Sequence, residues 1–593
     1  MYLRSTKRRN ANGTEVEYFQ LAENEWDGKR GCSVAKVFYN FGRADAENVE
    51  GLRRLAASIL RVVPPDAKVD LAEAPDVRLR DTWSYGGVYV LEALWKEVGL
   101  DKLLERTMLS ERVRQPFGTA LFAMVANRAH AGGSKLSCWE QWLREEVFLP
   151  QADGLQLHHL YGAMDFFQEH KAALEKEVYF AVADLMKADV DLIFYDTTSL
   201  HFEVDEPDAV AQRKGARTYE ALRKRGHSKN GRGDAPQIVV GLAITRDGLP
   251  VRSWVFTGNT TDVTTIERVK ADLRGWRLGR CIFVGDAGMN SADNRRTLSL
   301  GGGKYILASK MRGGDVVDED VLARPGRYHE VKDNLRVKEV LVGDGGRQQR
   351  YVVCHNPDEE RRQQAHRLKV LEELEAEFVT LKLTKSGRPS KRAMQLQTSR
   401  RYGRYIRVLK DGRLGVDRAA VDAATRYDGK WVITSNDDTL TAEDLALGYK
   451  QLLRVEACWR TMKSGLRMRP VFHYRPWRIE AHVSICVLAL LLERIVEIRT
   501  GDTWRNVLRE LDTLKVVEYD RGDARVRQTT EPRPAVTDLL KKLNVKSPPR
   551  IHTVTRLPPS ATPAAEPPPN TTPAGTRADD PPAHSTPSVA AAS

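Results

Sequence analysis

Residues 191–196 read DLIFYD, four apolar residues closed on each side by an acid. A run this short and this apolar predicts a buried strand, and its last residue, Asp196, is a carboxylate delivered at the strand's C-terminal end. Residues 281–286, CIFVGD, repeat the pattern and end on Asp286. Small residues follow each acid: Thr197, Thr198 and Ser199 in one case, Ala287 and Gly288 in the other. A single Asp at a strand end is ordinary turn chemistry. Two of them, in neighbouring strands of one domain, point to a site.

Between the two acids lie QIVVGLAIT (237–245) and LPVRSWVF (249–256), joined by Arg246-Asp247-Gly248. This reads as a hairpin. TTDVTTIERVKADL (260–273) is helical, with Thr261 and Asp262 as caps, and KYILAS (304–309) is a further strand. The order strand, hairpin, helix, strand, strand predicts an α/β catalytic core over 188–311, resumed at 429–500. Residues 312–428 mix short strands with a charged helix and read as an α+β insertion domain. WVITSN (431–436) returns to a buried strand. One long helix is expected from Ala442 to Ser464, opened by a Thr441–Asp444 capping box, and another from Ile479 to Arg499.

Outside this core, 1–48 reads as a β-rich segment with a hairpin turning at Asn12-Gly13. Residues 49–187 read as a mainly helical domain, and 501–546 as a helical segment. Residues 547–593, rich in Pro, Ala, Thr and Ser, cannot bury enough apolar surface to offset their ordering entropy and are expected to be disordered.

The 593 residues are 41% hydrophobic and 29% charged, as in a globular protein. Lys and Arg number 93 against 80 Asp and Glu, a net charge of +13 that favours a polyanionic partner. The six cysteines form no CxxC pair, which disfavours a zinc ribbon, and they read as reduced thiols of a cytosolic protein. Cys354-His355 has no partner pair for a metal. His473 and His482 read as structural. The N-terminus has no apolar leader, and the longest apolar run, Val483–Leu492, is too short to span a bilayer.

Residues 449–463, YKQLLRVEACWRTMK, place Tyr449, Glu456 and Lys463 seven residues apart, along one helical stripe. Taken alone, Glu456 would be a surface partner of Arg460 at i+4. The stretch resembles the signature helix of the IS-four-type DDE transposases of bacterial insertion sequences, Tyr-x2-Arg-x3-Glu-x6-Lys. Three positions match at the correct spacing. Leu452 stands where the family has Arg, and Arg454 or Arg460 is the available substitute. The resemblance extends through FYDTTSLHFE, HSKNGRGDAPQIVVGLAITRDGLPV, FTGNTTD, VGDAGM and RIEAHVSICVLALLLE, from Asp191 to about Glu497. It is closest to the subgroup with a long N-terminal region and an insertion before the catalytic Glu.

The resemblance implies an RNase H-like core in which Asp196, Asp286 and Glu456 are the catalytic and metal-binding acids. It also implies two Mg²⁺ ions, with Mn²⁺ able to substitute. Asp196 would bridge the ions, with Asp286 and Glu456 each holding one. The acids are 90 and 170 residues apart, which fits an insertion between the second and third. Tyr449 and Lys463 would touch phosphates, and Arg460, Arg467 and Arg469 around Trp459 form a cluster suited to a DNA backbone. His227 and Lys229, in the basic loop RKRGHSKNGRG, either touch DNA or belong to a solvated loop.

The implied activity is cleavage at terminal inverted repeats and strand transfer into target DNA. It would be carried out by a homodimer in a synaptic complex, in a bacterial cytoplasm at the nucleoid, with no membrane involvement. Residues 49–187 would read the DNA ends. The rivals are an inactive transposase-derived DNA-binding protein and a non-transposing RNase H-like nuclease. A haloacid dehalogenase-type phosphatase is excluded, because it needs Asp-x-Asp and residue 198 is Thr.

Overall fold

In a computed structural model, the strand that carries Asp196 lies inside a nine-stranded mixed sheet. The structure describes residues 2–9, 15–27, 32–46, 48–54, 77–186, 191–229, 231–276, 281–312, 316–345, 348–381 and 390–557. The sheet strands are β1 (Leu192–His201), β2 (Gln237–Thr245), β3 (Pro250–Thr257), β4 (Ile282–Gly285), β5 (Lys304–Ser309), β6 (His329–Lys332), β7 (Leu335–Val342), β8 (Gln349–His355) and β9 (Lys430–Ser435). Their spatial order is β6-β7-β8-β9-β5-β4-β1-β2-β3.

Leu192 to Tyr195 are all buried, as expected for a strand covered on both faces. The β2–β3 hairpin turns where the sequence placed it, with Gly248 at φ +81° supplying the left-handed residue. β1 runs antiparallel to β2 and parallel to β4. The β1–β4 register pairs Leu192 with Ile282 and Phe194 with Val284. Continued for two residues, it brings Asp286 level with Asp196, on strands whose usual spacing is about 4.8 Å.

The segment 312–428 does not stand apart from the core. Its strands β6, β7 and β8 extend the same sheet, and β8 pairs antiparallel with β9 from Arg350↔Ser435 to His355↔Lys430. Its helices Pro357–Thr380, Lys391–Thr398 and Arg418–Thr425 build a small core of their own around Val370, Leu374, Leu396 and Tyr405. His355 Nε2 pairs with Glu360 at 3.0 Å.

Helices α1 (Phe117–His130), α2 (Leu157–Met186) and α3 (Pro476–Thr500) share one hydrophobic core with the sheet. α3 is buried along nearly all its length, which accounts for its continuous apolar run. Among the described residues no helix is long and apolar enough to cross a membrane. Lys135 lies buried beside α3 and bonds to His482 Nδ1 at 2.8 Å, and His482 Nε2 lies 3.0 Å from the Met468 carbonyl.

The chain divides into two units: residues 81–518 with 527–553, which hold everything above, and residues 1–80 with 519–526 and 554–593. In the second, Tyr2–Arg9, Glu15–Asp27 and Cys32–Arg43 form a three-stranded antiparallel sheet. The Asn12-Gly13 turn lies outside the described residues. Residues 501–546, read as helical, hold helices Trp504–Leu511 and Pro534–Lys542 but also strands Lys515–Arg521 and Ala524–Thr529. In the first of these strands buried and half-buried residues alternate with a period of two. Within the stretch expected to be disordered, Ile551–Arg556 is a strand, and residues beyond 557 lie outside the described residues.

Candidate active site

Asp196 sits midway along β1, just past the buried Leu192–Tyr195 run, and not at the strand's C-terminal end as its sequence predicts, because antiparallel pairing with β2 carries the strand on to His201. Asp286 is the first residue after β4 and caps a 3₁₀ turn, Ala287–Met289, by accepting the Gly288 backbone N–H at 3.0 Å. Gly288 is a close-approach position. A Cβ there would lie 3.2 Å from Oδ2 of Asp262 and 3.3 Å from Oδ1 of Asp286. The two carboxylates therefore flank a backbone without a side chain.

Asp262 is the residue that sequence reasoning misassigned. It was read as a helix cap, but neither it nor Thr261 caps the helix, which starts at Ile266. Its carboxylate instead accepts a bond from the Thr197 hydroxyl and pairs with Lys229 at 2.9 Å. The Lys229 ammonium also donates to the Thr197 carbonyl and Oγ1, each at 2.8 Å, and lies 3.8 Å from Asp196. The sequence offered one signal: Asp262 ends the FTGNTTD motif.

Burial pushes the Asp196 carboxyl up to about 6 against the opposing pull of Lys229, and the nearby Asp286 charge adds to the rise. Burial also raises Asp286, again opposed by Lys229. Two half-buried carboxylates on neighbouring segments, each raised by desolvation and opposed by one counter-charge, are an arrangement expected where a cation binds.

The expected long helix from Ala442 to Ser464 is broken. Two helices stand in its place, α4 (Ala442–Lys450) and α5 (Leu453–Arg460), and together they form a split signature helix. The break at Gln451-Leu452 is made of tighter i+3 bonds: Leu452 N–H to Tyr449 O at 2.9 Å and Val455 N–H to Leu452 O at 3.0 Å. A π turn, Thr461–Gly465, follows. Tyr449, Glu456 and Lys463 thus lie on three consecutive pieces rather than one straight stripe. Thr441 does cap the start, accepting the Asp444 N–H at 3.1 Å.

The second piece and the π turn are each fastened to β1, one by Trp459, which lies outside the motif, and the other by the motif's Lys463. Trp459 Nε1 donates to Asp196 Oδ2 at 3.1 Å, and Lys463 Nζ donates to Thr198 Oγ1 at 2.6 Å. Glu456, three residues before Trp459, is exposed. Burial raises the Tyr449 hydroxyl, and the charges of Asp286, Glu456 and Asp196 raise it further, so all three acids act on this one tyrosine. Among the described residues, however, no three His, Cys, Asp or Glu side chains stand close enough together to hold a metal ion. Asp196 and Asp286 converge, and Glu456 stands at the rim.

A cleft of about 520 Å³ opens beside the acids, lined by Thr198, His227, Lys229, Asp262, Asn290 and Lys310 among others. Arg460 and Arg467 are exposed, and Arg467 takes φ +47°. Arg469 reaches His201 Nδ1 at 3.3 Å. Behind this loop, Arg128 donates to the carbonyls of Leu466 at 3.2 Å, Arg467 at 2.9 Å and Gly133 at 2.9 Å.

Residues 200–492 match the family described as the transposase DDE domain. The match takes in Asp286, Glu456 and Lys463, begins four residues after Asp196, and supports a DDE transposase. No curated protein sequence matches. Among solved structures, a piggyBac transposase synaptic complex with hairpin DNA is 8% identical, covers 67% of this chain and 69% of its own, and has a TM-score of 0.30. A likeness that low carries no argument about fold or mechanism here.

Proposed function

We propose that the chain is a transposase of the IS-four type, which cuts DNA at terminal inverted repeats and joins the freed 3′ ends to target DNA. The observation that carries this reading is the convergence of Asp196 and Asp286. Asp196 lies on β1 and Asp286 just past the end of the parallel neighbour β4; the transposase DDE domain match takes in Asp286 and begins four residues after Asp196. The strand order β3-β2-β1-β4-β5, with only β2 reversed, supports an RNase H-like core.

The donor set fits a hard divalent cation. It consists of carboxylate oxygens on a backbone kept clear of Cβ at Gly288, with an ammonium already drawn into the same acidic wall. Asp196 and Asp286 would hold Mg²⁺ or Mn²⁺, and Glu456 would join from the rim once DNA and metal draw the split helix inward. When bound, two such ions activate the attacking oxygen and stabilise the leaving one. The chain's own groups do the rest. Trp459 would orient the Asp196 carboxylate, Lys463 and Tyr449 would meet DNA phosphates, and the exposed Arg460, Arg467 and His227 would add basic or polar contacts. A dimer holding two ends together follows from the two-ended reaction.

The test is cleavage of DNA bearing the element's terminal inverted repeats, with Mg²⁺ or Mn²⁺. Metal-dependent nicking at the repeat boundary is expected, and a chain that binds such ends without cutting them would be a transposase-derived binding protein instead.

A further inference from the structure

Lys229 stands where its sequence context did not place it. It was read as part of a basic loop that touches DNA or solvent. Its ammonium is instead turned inward, with three contacts below 3 Å, to the Thr197 carbonyl, Thr197 Oγ1 and Asp262 Oδ2. An ammonium has three N–H donors, so these contacts use them all. Asp196 Oδ1, at 3.8 Å, feels the charge without receiving a full hydrogen bond. The backbone is fixed as well, since the Lys229 N–H donates to Ser199 Oγ at 3.0 Å.

Asp262 is what holds this arrangement. It accepts from Thr197 and pairs with Lys229, and it faces Asp286 across Gly288. Two carboxylates thus lie within 4 Å of one resident cation, whose charge also acts on Asp286.

We propose that Lys229, anchored by Asp262, is a built-in counter-cation of the acidic site that competes with the divalent metal and so sets its affinity. This rests on the metal-site reading of Asp196 and Asp286. An ammonium about 4 Å from a carboxylate stabilises the metal-free site and repels an incoming dication through the same Coulomb interaction. Asp262 is a positioning residue, acting on the metal through Lys229. The neighbouring cleft of about 520 Å³ gives the displaced lysine somewhere to go.

The test is calorimetric titration of Mn²⁺ into the full-length chain without DNA, for wild type, Lys229→Met, Asp262→Asn and the double variant. Lys229→Met is expected to tighten Mn²⁺ binding about tenfold, well within the Coulomb energy of one charge at this range. It should also lower the metal-free melting temperature and enlarge the rise that Mn²⁺ produces. Asp262→Asn is expected to weaken binding, and by less in the Lys229→Met background. Unchanged or weaker binding by folded Lys229→Met, or equal effects of Asp262→Asn in both backgrounds, overturns the inference alone. If Lys229→Met does not fold, Asp262→Asn binding Mn²⁺ as tightly as wild type overturns it. If wild type takes up no Mn²⁺, the metal-site reading falls and this inference falls with it.

Discussion

The indole Nε1 of Trp459 donates a hydrogen bond to Oδ2 of Asp196 at 3.1 Å. This bond ties the signature helix to the central strand and fixes one carboxylate oxygen. Trp459→Phe keeps most of the packing and removes the donor. Metal-dependent cleavage is expected to fall about tenfold, and stability by about 1 kcal/mol. Single-turnover cleavage and urea unfolding measure the two. An unchanged cleavage rate would show that the bond does not orient the acid.

Gly288 offers a substitution that leaves the core alone, because it is exposed and does not take a left-handed φ. In Gly288→Ala the new methyl would press against both Asp262 and Asp286 and push their carboxylates apart. The expected result is weaker Mn²⁺ binding and slower cleavage with a melting temperature close to wild type. A variant that binds Mn²⁺ normally would mean that the two carboxylates need not approach.

The buried lysine predicts a pH effect on stability. Burial, helped by the charge of Arg128 and opposed by Cys486 and Cys138, brings Lys135 down from its ordinary 10.5 to about 7. His482 accepts its bond, and His473 lies against His482. Between about 7 and 10.5 the unfolded chain holds a proton here that the folded chain does not, so stability rises with pH. Burial raises both cysteines above their ordinary 9.0, so their opposite effect begins only near that pH. Urea midpoints at pH 7, 8 and 9 should rise for wild type and flatten in Lys135→Met. Parallel slopes in the two proteins would contradict the assignment.

Arg128 offers a fourth test. Its guanidinium serves carbonyls at Leu466, Arg467, Gly132 and Gly133. Arg128→Met leaves these acceptors without their donor and is expected to cost about 3 kcal/mol. Hydrogen exchange should then rise in residues 465–469 more than in α1. Uniform exchange would show that Arg128 does not hold that loop.

What the sequence made legible follows from local physics. DLIFYD and CIFVGD are buried strands because their apolar runs are short and continuous, and the hairpin at Gly248 follows from its turn chemistry. The rest depends on contacts between distant residues. Nothing near Asp262 tells that its carboxylate will meet Lys229 rather than cap a helix. Nothing in YKQLLRVEACWRTMK marks the break at Gln451, since every residue there is a fair helix former. Strands β6, β7 and β8 looked like an insertion in the chain, and only pairing between β8 and β9 makes them part of the core sheet. Trp459 was visible as an aromatic among basic residues, but its bond to Asp196 spans 263 positions.

The central claim is that Asp196 and Asp286 form the metal-dependent cutting site. Its most direct measurement is strand cleavage on DNA with the terminal inverted repeats, in Mg²⁺, by wild type, Asp196→Asn and Asp286→Asn. The account predicts nicks at the repeat boundary for wild type and none for either variant, with both variants still folded and bound to the ends. Cleavage by either variant at the wild-type rate would contradict it.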